Sequence, residues 1–220
     1  MNEMHARLNV FWEQFLDRLD PGCARAVGAA YDDLAREQEG RSRLGPGDEA
    51  PDFTLPDSDG APVRLGAMLA RGPAVLVFFR GSWSPFCRLA LRAYSEAAPA
   101  FAARGAGVIG ISAQRREGLA RLAFEDGLAF PLLCDAGAGI AGRFGIACAT
   151  PPALLPLYRR FGHPPAEQNQ SGCNRLALPA TYLVGRDGRI RFAHVGVRPH
   201  ERAAPEEVLA ALTPAHAGTR

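Results

Sequence analysis

The run AVLVFF at 74–79 is the feature that most constrains the fold. Six consecutive apolar side chains alternate between the two faces of a strand, so both faces must be buried. That is the pattern of a central strand in a sheet covered by helices on each side. GVIGIS at 107–112 and AFPLLC at 129–134 repeat it. Between these runs the periodicity becomes helical, over about 87–103 (Cys87, Leu91, Tyr94, Ala98 and Phe101 on the inner face) and over 116–126. Strands alternating with helices imply a parallel sheet joined by right-handed crossovers. The flanks read as antiparallel additions. Residues 51–65 form a hairpin turning at Asp59-Gly60, while TYLV at 181–184 and RIRFAHV at 189–195 flank the turn Gly185-Arg186-Asp187-Gly188. A short helix fits 138–144, the proline-rich stretch 146–178 reads as irregular, and a last helix fits 204–212. The fold class expected is α/β, with a mixed central sheet flanked by helices.

Ahead of this unit, Met4, Leu8, Phe11, Trp12, Phe15 and Leu19 recur at helical spacing over 3–19, and Pro21-Gly22 stops the run. A second helix is expected over 23–37, followed by a Gly- and Pro-rich linker at 36–51. Residues 1–45 are therefore read as a helical extension and 46–220 as the main domain. The aromatic stripe of the first helix reads as core packing, or else as a dock for a second copy in a homodimer. With 25 Lys+Arg against 23 Asp+Glu, no electrostatic footprint suits nucleic acid. No run reaches the roughly 18 apolar residues of a membrane span, and the first 20 residues lack a secretory pattern. The expectation is a soluble, cytoplasmic protein with no membrane or nucleic-acid partner.

Five cysteines, at 23, 87, 134, 148 and 173, include no pair at zinc-ligand or Cys-x-x-Cys spacing, so no metal site is expected. Most read as inert small hydrophobes. Cys87 differs because the segment FFRGSWSPFCRLALRAY at 78–94 places it where a buried strand turns, through Gly81, Ser82 and Pro85, into a helix. The first turn of a helix leaves amide N–H groups unpaired at the positive end of the macrodipole. Arg80, Arg88 and Arg92 add nearby charge, and such surroundings lower a cysteine pKa. Ser84, three residues earlier, can donate a hydrogen bond to the sulfur. The plain alternative is a buried cysteine filling the strand–helix junction, which the arginines and Ser84 weigh against.

These residues resemble the active-site loop of the alkyl hydroperoxide reductase/thiol-specific antioxidant (AhpC/TSA) superfamily. The nearest likeness is its peroxiredoxin-like branch, whose loop reads Arg-Gly-x-Trp-Cys-Pro-Tyr-Cys. GDEAPDFTLPDSDGAPVRL, VIGISAQ, FPLLCDAG and LPATYLVGRDGRIRFAHV extend the resemblance over about 46–212. It implies a thioredoxin-like fold and a thiol-dependent peroxidase that needs no cofactor, reducing hydrogen peroxide or alkyl hydroperoxides through a Cys87 sulfenic acid. Thioredoxin or another thiol reductant would restore the thiol. In the family pattern Pro-x-x-x-Thr-x-x-Cys, Ser84 takes the threonine position and Arg80 the proline position. Ser84 also stands where the branch has a second cysteine, so no Cys-x-x-Cys disulfide can form. Peroxiredoxins usually place an arginine just before the strand read here as TYLV; this chain has Pro179, a thioredoxin-like arrangement commonly in the cis form. Arg80 is therefore expected to substitute electrostatically. Cys173, then Cys148, are the internal candidates for a resolving cysteine, although each reads first as a plain thiol. Trp83 and Pro85 are expected to shape the site.

Other signals carry less. GAGVIG at 105–110 leads into a strand, and GAGIAG at 137–142 lacks a long helix and a following acidic residue, so dinucleotide binding is not expected. Asp57 and Asp59 are explained by turn chemistry, and the histidines at 5, 163, 194, 200 and 216 are scattered. A monothiol exchange protein of thioredoxin type and a non-catalytic redox-sensing module remain as alternatives, because fold alone does not establish function.

Overall fold

The computed structural model describes residues 2–212; His216 lies outside them. Two helices come first, α1 (Glu3–Asp17) and α2 (Pro21–Gln38). The first helix ends at Asp17, ahead of the expected stop, and Pro21-Gly22 instead open the second. Asp20 is the N-cap, accepting from the Cys23 N–H at 2.8 Å, and Pro21 occupies the first helical turn. The hairpin β1 (Thr54–Pro56) and β2 (Pro62–Arg64) precedes a short α3 (Leu65–Leu69). Then come β3 (Ala74–Phe78), α4 (Pro85–Ala102), β4 (Gly107–Ser112), α5 (Arg116–Asp126), β5 (Leu132–Cys134) and α6 (Gly139–Arg143).

The segment read as irregular is more ordered than expected. Strands β6 (Ala147–Ala149) and β7 (Arg175–Ala177) pair as an antiparallel ribbon, and between them lie α7 (Leu155–Arg160) and α8 (Pro165–Gln168). The prolines that argue against helix occupy the first turns of α7 and α8, where a missing N–H costs nothing. The chain finishes with β8 (Ala180–Val184), β9 (Ile190–Val195) and α9 (Pro205–Ala211).

The main sheet runs β5-β4-β3-β8-β9. Strands β3, β4 and β5 are parallel, whereas β8 and β9 are antiparallel additions. It is the expected mixed sheet, a thioredoxin-like fold, with helices on both faces. Period-two alternation along β3 divides the core. Ala74, Leu76 and Phe78 face one cluster, shared with α2 and α6; Val75 and Val77 face the other, shared with α4, α5 and α9.

The amino-terminal helices are not a separable appendage. Val27, Ala30, Tyr31 and Leu34 of α2 are at most 4% exposed and belong to the main core. Met4 and Leu8 of α1 close over Phe86 and Ala90 of α4. No helix among the described residues is long and apolar enough to cross a membrane.

Candidate active site

Strand β3 delivers the chain to the edge of the core, and the loop 79–84 turns it into α4. Phe79 N–H still bonds to the Ile111 carbonyl at 3.0 Å, and Ser112 Oγ donates to the Arg80 carbonyl at 3.2 Å. Gln114, 2% exposed, clamps the next residue: its Oε1 accepts from Ser82 N–H at 2.6 Å and its Nε2 donates to Ser82 Oγ at 2.7 Å. Gly81 leaves room for Trp83: a Cβ there would lie 2.3 Å from Trp83 Nε1 and displace the indole. Ser84 is the N-cap of α4, accepting from Cys87 N–H at 3.4 Å, and Pro85 follows in the first turn, exposed on the surface.

Cys87 is wholly buried. Burial alone pushes a thiol pKa up, yet that of Cys87 lies below the ordinary value. The opposing causes are the Arg202 charge, the Ser84 hydroxyl and the backbone N–H groups of Gly81 and Arg80. Arg202 Nη2 donates to Cys87 Sγ at 3.3 Å. That arginine is only 6% exposed and comes from the loop between β9 and α9. Its Nε donates to the Pro199 carbonyl at 3.0 Å, and its own carbonyl lies 2.6 Å from His5 Nε2 of α1. The amino-terminal helix thus helps hold the segment that carries the charge.

Three sequence expectations change. The Arg80 side chain does not turn to Cys87: Nη1 donates to Tyr31 Oη at 2.6 Å, Nη2 donates to the Val197 carbonyl at 3.0 Å, and the guanidinium lies 5.2 Å from the centre of the Tyr31 ring. Its contribution to Cys87 comes through its backbone N–H, and the substituting charge is Arg202. Arg88 and Arg92 are engaged elsewhere, both bonded to the buried Asp126 carboxylate. Pro179 is buried between β7 and β8, but its peptide bond is not cis, since no described bond is.

Cys148 and Cys173 are both free, as is Cys87, so neither forms a disulfide with it. Cys148 is buried in β6 on the Arg80 side, and burial raises its pKa despite that arginine. Cys173 lies before β7 with its sulfur 3.0 Å from Ser171 Oγ. Cys134 is buried at the end of β5, also with a raised pKa. Trp83 packs edge-on to Tyr158 of α7, with ring centres 5.0 Å apart. Burial first, then Tyr31, and also the negative charge of Cys87 oppose ionisation of Tyr158.

Sequence reasoning missed Arg202, Gln114 and Tyr158. Gln114 lies inside the block VIGISAQ already singled out, two residues past the end of a buried strand, where a polar side chain is placed to bond to the neighbouring loop. Nothing local marks Arg202, which lies 115 residues from the sulfur it touches.

A buried, charge-stabilised cysteine in the first turn of the helix after the central strand of this mixed sheet defines a thioredoxin-fold thiol protein. The sequence model of the AhpC/TSA family matches residues 46–193, and the chain belongs to that family. It is 39% identical over 158 residues to the Mycobacterium tuberculosis protein named "Putative peroxiredoxin Rv2521", covering 71% of this chain and 88% of that one. Among solved structures it resembles the peroxidoxin BcpB of Mycobacterium tuberculosis, with a TM-score of 0.62 at 25% identity, covering 77% of this chain and 96% of that one. The reduced 2-Cys peroxiredoxin of Plasmodium vivax shares the fold, with a TM-score of 0.57 at 17% identity over 78% of this chain and 80% of that one.

Proposed function

We propose that this chain is a thiol-dependent peroxidase whose nucleophile is Cys87. The observation that carries the reading is the 3.3 Å contact between Arg202 Nη2 and a fully buried cysteine sulfur. A cationic donor, a hydroxyl and two backbone N–H groups converge on one sulfur. They stabilise its thiolate and are placed to hold the charge that moves onto oxygen as a peroxide bond breaks. The thiolate attacks the terminal oxygen of ROOH. The S–O bond forms as the O–O bond breaks, and the departing alkoxide takes the hydroperoxide proton to leave as ROH. Cys87 is left as the sulfenate, which takes a proton from solvent to become the sulfenic acid.

Reduction requires two thiols in turn. The first displaces water to form a mixed disulfide, and the second releases Cys87. With Ser84 at the N-cap position in place of a second cysteine and Cys87 free of any disulfide, we assign these steps to an external donor, either thioredoxin or a small thiol. Cys148 and Cys173 have no assigned role in the cycle. The test is steady-state peroxide consumption with each donor. Turnover with a thiol donor, lost in Cys87→Ser, is the expected result. Peroxide consumption that survives Cys87→Ser would remove the proposal.

A further inference from the structure

Beside the site lies a cavity of about 490 Å³. Its walls come from α1, α2, the 79–84 loop, the start of α4 and α7, so part of it is built by residues preceding the 46–193 stretch shared with the family. Water occupies roughly 30 Å³ in the liquid, and hydrogen peroxide is not much larger. A space of this size matches the roughly 300–1,000 Å³ of sites for drug-sized organic ligands.

Its chemistry is polarised. Trp12, Phe15, Leu19, Leu157 and Phe161 make an apolar interior. Arg18 and Arg160 also line it, both are exposed, and neither side chain forms a hydrogen bond or ion pair among the described residues. No Asp or Glu among the described residues lines the cavity. Ser84, whose Oγ accepts from Cys87 N–H at 3.4 Å, and Tyr158, on which Trp83 packs edge-on, line it as well.

We infer that this cavity selects an organic hydroperoxide with a large apolar body and a free carboxylate. The carboxylate is held by Arg18 and Arg160, the body lies against the α1 aromatic residues, and the hydroperoxide is presented past Ser84 to Cys87. The inference rests on the peroxidase reading for its chemistry, which is the balanced step above with R the apolar acid. The recognition itself is independent of turnover. Two partly exposed ion pairs amount to about tenfold in affinity.

Two measurements on the full chain separate the inference from the peroxidase reading. In the first, the two tryptophans of the sequence, Trp12 and Trp83, report binding of the hydroxy acid derived from linoleic acid hydroperoxide, and of its methyl ester. The acid is expected to bind about tenfold more tightly than the ester, and Arg18→Gln/Arg160→Gln is expected to bring the ratio close to one. In the second, the rate of Cys87 oxidation is compared for linoleic acid hydroperoxide, its methyl ester and hydrogen peroxide, with the order acid, ester, hydrogen peroxide expected. Equal binding of acid and ester to the unmodified protein overturns carboxylate recognition. Hydrogen peroxide as the fastest substrate overturns the selective cavity. Binding of the acid with no oxidation by any hydroperoxide supports the cavity and removes the peroxidase reading instead.

Discussion

Replacing Arg202 with Gln removes the guanidinium that donates to the Cys87 sulfur. At the 3.3 Å separation between Arg202 Nη2 and Sγ, opposite unit charges attract by about 5 kcal/mol in an effective dielectric of about 20. Ser84 and the two backbone N–H groups remain, so the loss is smaller than that figure. Truncating one partner of a buried, hydrogen-bonded charge pair costs roughly 2–5 kcal/mol, and the lower half of that range applies here. At about 1.4 kcal/mol per tenfold, the rate of Cys87 oxidation near neutral pH is expected to fall by about thirtyfold or more. Alkylation of Cys87 by iodoacetamide, followed across pH, reads the thiolate directly. In the unmodified protein the rate should reach its plateau below the pH at which a free thiol (pKa about 8.5) would do so. Arg202→Gln should move the profile to higher pH, while Arg202→Lys keeps a cation and should fall between the two. Arg80→Ala provides the contrast: its side chain faces Tyr31, so the profile should stay where it is. Superimposable profiles for the unmodified protein and Arg202→Gln, with a shift in Arg80→Ala, would refute the assignment of the charge.

Further expectations concern the helix cap, the extension and acid stability. Ser84→Ala removes both the N-cap of α4 and a donor to the sulfur; it should lower stability by about 1 kcal/mol and raise the pH needed to ionise Cys87, with Ser84→Thr restoring both in thermal melts and alkylation profiles. Deleting residues 1–45 exposes the core around Leu8, Val27, Tyr31 and Leu34; at about 1.5–3 kcal/mol for each buried side chain, the loss rivals the whole net stability of a domain, so circular dichroism should show an unfolded or aggregated chain and not a working minimal domain. Burial would raise the pKa of Asp126, but its bonds to Arg92 and Arg88 hold it below the usual carboxylate value. Its stabilisation is therefore complete above the unfolded pKa of about 3.9 and is lost as pH falls through the lower folded value. Because its arginine partners are solvent-exposed in part, Asp126→Asn should cost about 1–2 kcal/mol near pH 7 and flatten that part of the acid unfolding curve.

What could be read from the sequence follows from how local the signals are. The strand at 74–79 and the helix carrying Cys87 were legible because burial on both faces and helical period each leave a mark within a dozen residues. Ser84 was legible as a donor to the sulfur because it lies three residues before Cys87, whereas its capping of α4 is seen only in the structure. The ribbon of β6 and β7 was not, since two strands of three residues separated by 25 positions carry no periodicity long enough to detect. The stripe on α1 announced a buried face without saying what it covers; contact with Phe86 and the cavity wall is tertiary information. Arg202 reaches Cys87 only because β9 lies beside β8 and β8 beside β3, which brings the loop after β9 over the end of α4. An arginine beside Pro179 was the natural place to look for the charge, and the fold supplies it from the neighbouring strand's exit instead.

The most direct test is to mix the reduced full-length protein with one equivalent of hydrogen peroxide, trap with dimedone, and locate the adduct by mass spectrometry of the peptide carrying Cys87. The account predicts a single dominant adduct on Cys87, formed quickly in the unmodified protein and much more slowly in Arg202→Gln. An unmodified Cys87, with adducts on Cys23 or Cys173 alone, would contradict it.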